Sequence, residues 1–172
     1  MARYAVSVES QAAQLSGVNA TTTVNGYIGY WGGSATSGFR LRRVILGVRA
    51  GASVPTSQQI TIALFRQTVA PAGTGLAAAV LGQPLETHTP QTDPTTGMIV
   101  TTATTIGTTG PTLATNPLYK WTFNTQTGWD LPIELLEECV CAIGTANGLA
   151  FVNIGNTLPA AHLVTVSCEI EV

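Results

Sequence analysis

The sequence predicts an all-β chain, with one β-sandwich domain over residues 1–172, of jelly-roll form, and an extended Thr/Gly/Pro-rich arm over 68–118. Three observations predict it. Charged residues make up only 9% of the chain while 45% is hydrophobic, far from the roughly 25% charge of ordinary soluble domains. Apolar residues recur at every second position in many short runs, the period of a sheet with one buried face. Those runs are punctuated by 18 Gly and 9 Pro, which supply the turns between strands. A chain of this length buries roughly 70% of the surface it exposes when unfolded, enough for one core.

Residues 3–9 alternate Tyr4, Val6 and Val8 with Ala5 and Ser7, as a strand does. A polar loop over 10–19 follows. Residues 21–31 are β-prone, interrupted at Asn25-Gly26, a pair suited to a hairpin turn. Gly32-Gly33-Ser34 ends that run. The stretch 39–75 predicts two strands around a Gly/Ser/Pro turn, because Phe39 and Leu41, then Ile60, Ile62 and Leu64, repeat at a period of two. Its alternation slips once: Val44, Leu46 and Val48 fall out of phase with Phe39 and Leu41, which predicts a β-bulge near Arg42-Arg43. Val44-Ile45-Leu46 is apolar on both faces, and so is the second strand, where Ala63 and Phe65 oppose Ile62 and Leu64. Both strands are therefore expected to be covered on two sides, by the core and by something else.

More than half of 68–118 is Thr, Gly or Pro, and its charges are Glu86 and Asp93. Val69, Leu76, Val80 and Leu85 give an arm something to bury, which a solvated linker does not need. One strand is predicted inside the arm, over 97–106. After Pro117, strand signals become dense. Tyr119, Trp121 and Phe123 share a face; strands are predicted over 131–136, 139–143 and 149–154, with a turn at Glu137-Glu138 and a hairpin turn at Asn147-Gly148. In the last run Val164, Val166, Cys168, Ile170 and Val172 face in, and Thr165, Ser167, Glu169 and Glu171 face out.

Charge is sorted by sign along the chain. Arg40, Arg42, Arg43, Arg49 and Arg66 are five of the seven basic residues, and no Asp or Glu lies between Ser10 and Leu85. From Trp121 onward, Asp130, Glu134, Glu137, Glu138, Glu169 and Glu171 meet no Lys or Arg. Arginine suits bidentate pairing with carboxylates, so arginines without a nearby acid are expected to meet another molecule. The alternative use is protection of strand edges. Arg40, Arg42, Arg43, Ile45 and Phe65 are the interface candidates.

The chemistry-bearing residues do not assemble into a catalytic or metal-binding pattern. His88 and His162 have no carboxylate at ligand spacing. Cys139, Cys141 and Cys168 read as reduced thiols in one core layer on adjacent strands, since three cysteines fit neither a disulfide framework nor a zinc ribbon. No G-x-S-x-G elbow occurs, and Ala72-Gly73-Thr74-Gly75 lacks the Lys-Ser/Thr ending of a phosphate loop. Asp130 with Glu134 reads as two solvated strand ends rather than a glycosidase pair. The chain is thus expected to be no enzyme and to use no cofactor or metal. A net charge of -2 with pI near 5.6 gives no basis for nucleic-acid binding, which asks for a basic face with pI above ~9. No run is long and apolar enough to span a membrane, and the opening residues lack the apolar core of a signal peptide, so a soluble, unexported protein is expected. On that expectation the sequon Asn19-Ala20-Thr21 has no role.

Arg66-Gln67-Thr68, Ala72-Gly73-Thr74-Gly75, Gln83-Pro84-Leu85, Trp121, Pro132-Ile133-Glu134-Leu135, Ala146-Asn147-Gly148 and a closing strand ending in acids follow one another along the chain. This order resembles a group of small virion proteins of tailed bacteriophages, notably those infecting actinobacteria. The resemblance spans most of the chain from Val44 onward, and the Thr-rich stretch 87–115 departs from it. It implies a non-catalytic β-sandwich component of the virion: a capsid decoration or cement protein, made in the host cytoplasm. Such a protein forms a homo-oligomer, commonly a trimer, and binds the major capsid protein on the surface of the head. A tail, neck or fibre protein that binds host-surface glycans is the alternative. Tyr27, Tyr30, Trp31, Trp121 and Trp129 would then form a sugar-stacking platform, although core placement is the simpler reading for most of them.

Overall fold

The runs that alternate at a period of two become the inner faces of two antiparallel sheets. The structure, a computed structural model, describes residues 3–10, 27–32, 38–50, 56–69, 76–79, 99–103, 112–134, 139–144, 146–159 and 161–172. Its strands are β1 (Arg3–Glu9), β2 (Tyr27–Gly32), β3 (Phe39–Arg49), β4 (Gln59–Val69), β5 (Leu76–Ala79), β6 (Ile99–Ala103), β7 (Thr112–Leu113), β8 (Tyr119–Asn124), β9 (Trp129–Pro132), β10 (Cys139–Cys141), β11 (Gly148–Asn153) and β12 (Leu163–Glu171). Among the described residues there is no helix, and so none long and apolar enough to cross a membrane. The first sheet runs β1-β12-β3-β10, with β9 sharing the β10 edge of β3; the second runs β5-β6-β2-β11-β4-β7, with β8 sharing the β7 edge of β4.

The sheets face each other across one apolar cluster, as in a β-sandwich. The first contributes Leu41, Val44, Leu46, Val166 and Ile170, and the second Ile28, Ile60, Ile62, Leu64 and Phe151, all nearly inaccessible to solvent. Trp121 stacks between Tyr119 and Phe151, with ring centroids 5.7 and 6.1 Å away. Its burial places it in the core. Burying each such side chain contributes roughly 1.5–3 kcal/mol.

The bulge lies where the alternation slips. Glu169 of β12 stands opposite Arg43 and the next residue, Ile170, opposite Leu41, so Arg42 is the extra residue in β3. The insertion restores phase, and Leu41 and Val44 both point into the core. In β12 the expected alternation holds from Val164 to Ile170, with Val164, Val166, Cys168 and Ile170 buried and Thr165, Ser167 and Glu169 half-exposed between them; Glu171, expected to face out, is instead buried where it pairs with Arg42.

Other expectations change. The strand expected over 131–136 is β9, starting at Trp129 and ending at Pro132, after which the Ile133 N–H donates to the Arg42 carbonyl at 2.8 Å. The strand expected over 139–143 stops at Cys141. Asn147-Gly148 does not turn a hairpin, because β10 belongs to the first sheet and β11 to the second. The turn is made upstream: Gly144 takes φ 127°, its carbonyl accepts the Asn147 N–H at 3.0 Å, and the Asn147 side chain donates to the Ile143 carbonyl at 2.8 Å. Cys139 and Cys141 sit on β10 and Cys168 on β12, so β3 separates strands expected to be adjacent. Within 68–118, β5 and β6 pair with each other and β6 with β2, so these pieces extend the second sheet; the strand expected over 97–106 is Ile99–Ala103. At its end β7 pairs with β4, while residues 70–75, 80–98 and 104–111 of that stretch, together with Asn25-Gly26, Asn19 and Glu137-Glu138, lie outside the described residues.

Candidate interaction surface

The antiparallel register of the first sheet brings the arginine-rich and acid-rich halves of the chain side by side. β3 carries the arginines, β12 and β9 carry acids, and both pair with β3. Arg43 is held from two sides: Nε and Nη2 donate to the two Asp130 carboxylate oxygens at 2.8 and 2.6 Å, and Nη1 to Glu169 Oε1 at 3.1 Å. Arg49 forms the same fork with Glu9, at 2.8 and 3.0 Å. The bulged Arg42 pairs with Glu171, and both side chains are nearly closed off, at 9% and 8% exposure.

These contacts set the protonation of the face. Hydrogen bonds from Arg43 lower the Asp130 pKa, and those from Arg49 lower that of Glu9. The arginines are raised in return by the same carboxylates. An Asp130 held ionised by a forked arginine is the reverse of a general acid, which needs a raised pKa. Glu134 is exposed.

Comparison with protein-family models, curated proteins and solved structures finds no match. What the surface does must be read from its own residues.

The five interface candidates fall in different settings. Arg42 and Arg43 are engaged within the chain. Phe65 is 5% exposed, buried on the second sheet within one chain. Arg40 is exposed, and among the described residues it forms no ion pair. Ile45 is 38% exposed on the outward side of β3, so the described residues cover it only in part. Of the five, Arg40 and Ile45 are exposed with no ion pair among the described residues, and Arg43 is 39% exposed but paired within the chain.

Two residues not singled out in the sequence join them. Val140, directly opposite Arg40, is 44% exposed, and Ile143 is 59% exposed. With Phe39, Arg40 and Val172 they line a cleft of about 250 Å³ at the β10 edge. A signal for Val140 was available: it lies between two inward cysteines, so a period of two turns it outward on a short strand. Arg66 reaches across from β4 and donates Nη1 to the Val140 carbonyl at 2.6 Å, which occupies an edge acceptor and ties the sheets together.

The remaining reactive groups are occupied or shielded. Burial raises the Cys139 and Cys168 thiols, which disfavours the thiolate that metals and electrophiles need. Among the described residues no group of three His, Cys, Asp or Glu is placed to hold a metal ion. His162 is buried and its Nε2 accepts the Thr56 N–H at 3.2 Å. Thr125 Oγ1 donates to the Thr56 carbonyl at 2.5 Å and accepts the Gln58 N–H at 3.1 Å, so these residues peg 56–58 to the sandwich. They border a second cleft, of about 520 Å³, between 47–50 and 125–128. Trp129, 42% exposed, follows Gly128 at its rim. His88, and the side chains of Tyr27, Tyr30 and Trp31, lie outside the described residues.

Proposed function

We propose that this chain is a bacteriophage virion structural protein: a capsid decoration protein that binds the major capsid protein on the head and stabilises the shell as an oligomer. The observation that carries the reading is the β10 edge, where Arg40, Val140 and Ile143 stay exposed on a face whose other arginines on β3 are paired within the chain. Support for the finer fold comes from strand order. Leaving out β5 and β6, the sheets read β1-β12-β3-β9/β10 and β2-β11-β4-β7/β8, an alternation between sheets that fits a jelly roll. The stretch 68–118 would then be the arm inserted between β4 and β8. The resemblance to phage virion proteins supplies the setting.

The mechanism is physical and needs no cofactor or catalytic step. Repeated copies cover apolar area between shell subunits, each Å² contributing about 25 cal/mol before ordering costs. Exposed arginine meeting carboxylate fixes register more than affinity. A cryo-EM reconstruction of the particle tests this: the sandwich is expected as repeated density on the outer surface of the head. Its absence from the head would overturn the reading.

A tail- or fibre-associated glycan binder is the second reading, and Trp129 favours it. An exposed indole at the rim of a cleft is the geometry on which a sugar ring stacks. Glycan-array binding that is lost in Trp129→Ala would support it.

A further inference from the structure

β3 carries a glycine in its interior that the fold itself does not require. At Gly38, Gly128 and Gly155 a Cβ would stand only 2.3 to 2.9 Å from backbone of another segment, and Gly144 needs its φ of 127°. At Gly47 a Cβ would meet nothing within 4 Å, and the residue pairs with Thr165 in unbroken register. Glycine weakens a strand interior, and it stands there where a bulge forms or where a ligand or another backbone comes close. Gly47 has neither a bulge nor a neighbouring backbone, which leaves the ligand.

Gly47 lines the cleft of about 520 Å³ beside the 125–128 turn, a size within the roughly 300–1,000 Å³ of small-molecule pockets. The pairing of Leu46 with Trp129 sets Gly128 next to Gly47 across the strands, so two residues without side chains adjoin beside an exposed indole. Among the described residues no Asp, Glu, Lys or Arg lines the cleft, and residues 51–55, which join Ala50 to Thr56, carry no charge either. The charges nearest in sequence are engaged: Arg49 with Glu9, and Asp130 with Arg43. The turn is held in shape, since Asn124 Oδ1 accepts the Gln126 N–H at 2.9 Å and the Asn124 carbonyl accepts the Thr127 N–H at 2.9 Å and its hydroxyl at 3.0 Å. The exposed Gln126 amide has no hydrogen bond among the described residues.

We infer that this cleft binds an uncharged sugar residue over Gly47, its ring stacked on Trp129 and its hydroxyls bonded by the Gln126 amide and the Thr127 hydroxyl. The inference rests on the glycan-binding reading and narrows it to a neutral sugar and its place. A sugar ring offers an indole an apolar C–H face, and its hydroxyls both donate and accept, as an amide does. A charged ligand would lose water here without gaining a partner of opposite charge.

An array of neutral and acidic glycans probed with the full chain tests it, followed by calorimetric titration of the neutral glycan that binds best into wild type, Trp129→Ala, Gly47→Val and Gln126→Ala. Wild type is expected to bind neutral glycans and to gain nothing from added sialic or uronic acids. Trp129→Ala removes the stacking face and Gly47→Val fills the space above the strand, and each should weaken binding by about tenfold or more. Gln126→Ala should weaken it by about threefold to tenfold. Gly47→Val should unfold at the same or higher urea than wild type, because valine suits a strand, and Gln126→Ala, on an exposed turn, reports on the cleft independently of β3. No binding to any glycan would end the glycan reading and this inference together. Binding that Trp129→Ala abolishes but Gly47→Val and Gln126→Ala leave intact would keep the reading and overturn the inference, as would binding confined to acidic glycans or untouched by all three substitutions.

Discussion

The outward side of β3 and the outward side of β4 start from the same kind of sequence and end in opposite environments. Each strand is apolar on both faces, yet Ile45 is 38% exposed while Phe65 is 5% exposed and Ala63 is fully buried. In the second sheet every residue of β11, beside β4, is buried, so this strand is closed on both faces. The first sheet instead carries paired charge over its outer face: Arg42 with Glu171, Arg43 with Asp130 and Glu169, and Arg49 with Glu9. An apolar run on both faces therefore says that a strand has two neighbours to find, not that both lie in another molecule. Around β4 and β11 the second sheet is closed on both faces by this chain, whereas the first sheet leaves Ile45 and, at the β10 edge, Val140 and Ile143 exposed.

Substitutions at matching positions break the comparison most sharply. Phe65→Ala is expected to cost about 3–5 kcal/mol in urea unfolding, as for a truncated core aromatic, whereas Ile45→Ala should stay within about 0.5 kcal/mol, as exposed positions do. Equal losses at the two sites would erase the distinction between the sheets. Next in size is the bulged pair. Arg42→Met leaves Glu171 enclosed without its cation and should cost about 3–5 kcal/mol, while Arg42→Met combined with Glu171→Leu should regain most of that loss.

The exposed forks give the smallest effects. Arg49→Gln should change urea-unfolding stability least of these substitutions, because both partners are solvated. Their pH dependence has a definite sign. Glu9 and Asp130 are lowered in the folded chain from ordinary values of 4.5 and 3.8, so the unfolded chain binds more protons as acid is added. The stability they add is complete above those values and is lost as pH falls through the lowered ones. Arg43→Gln and Arg49→Gln together should flatten the acid limb of the pH–stability curve; an unchanged limb would assign it to other groups.

The local features of the fold were legible and the long-range ones were not. The bulge at Arg42 could be read because a period of two breaks visibly when one residue is inserted, and β12 could be read because its alternation is unbroken. The partners of the arginines could not. Asp130, Glu169 and Glu171 are 87 to 129 positions away from them in sequence, and only the register of β3 with β12 and β9 brings them together. The sorting of charge by sign, which suggested contact between molecules, is the imprint of which strands pair within one. Asn147-Gly148 misled for a similar reason: a turn dipeptide reveals a bend but not whether the chain returns to the same sheet. At the candidate surface, Arg40 and Ile45 were legible as outward residues, while Val140 and Ile143 needed knowledge of which strand forms the edge.

Urea unfolding of wild type and Arg42→Met at low and high protein concentration tests most directly the claim that these charges are neutralised within a single chain. With Glu171 in the same molecule, the substitution should lower stability by the same amount at both concentrations. A loss seen only where copies associate, and absent in dilute monomer, would place the partner of Arg42 in another molecule and contradict the account.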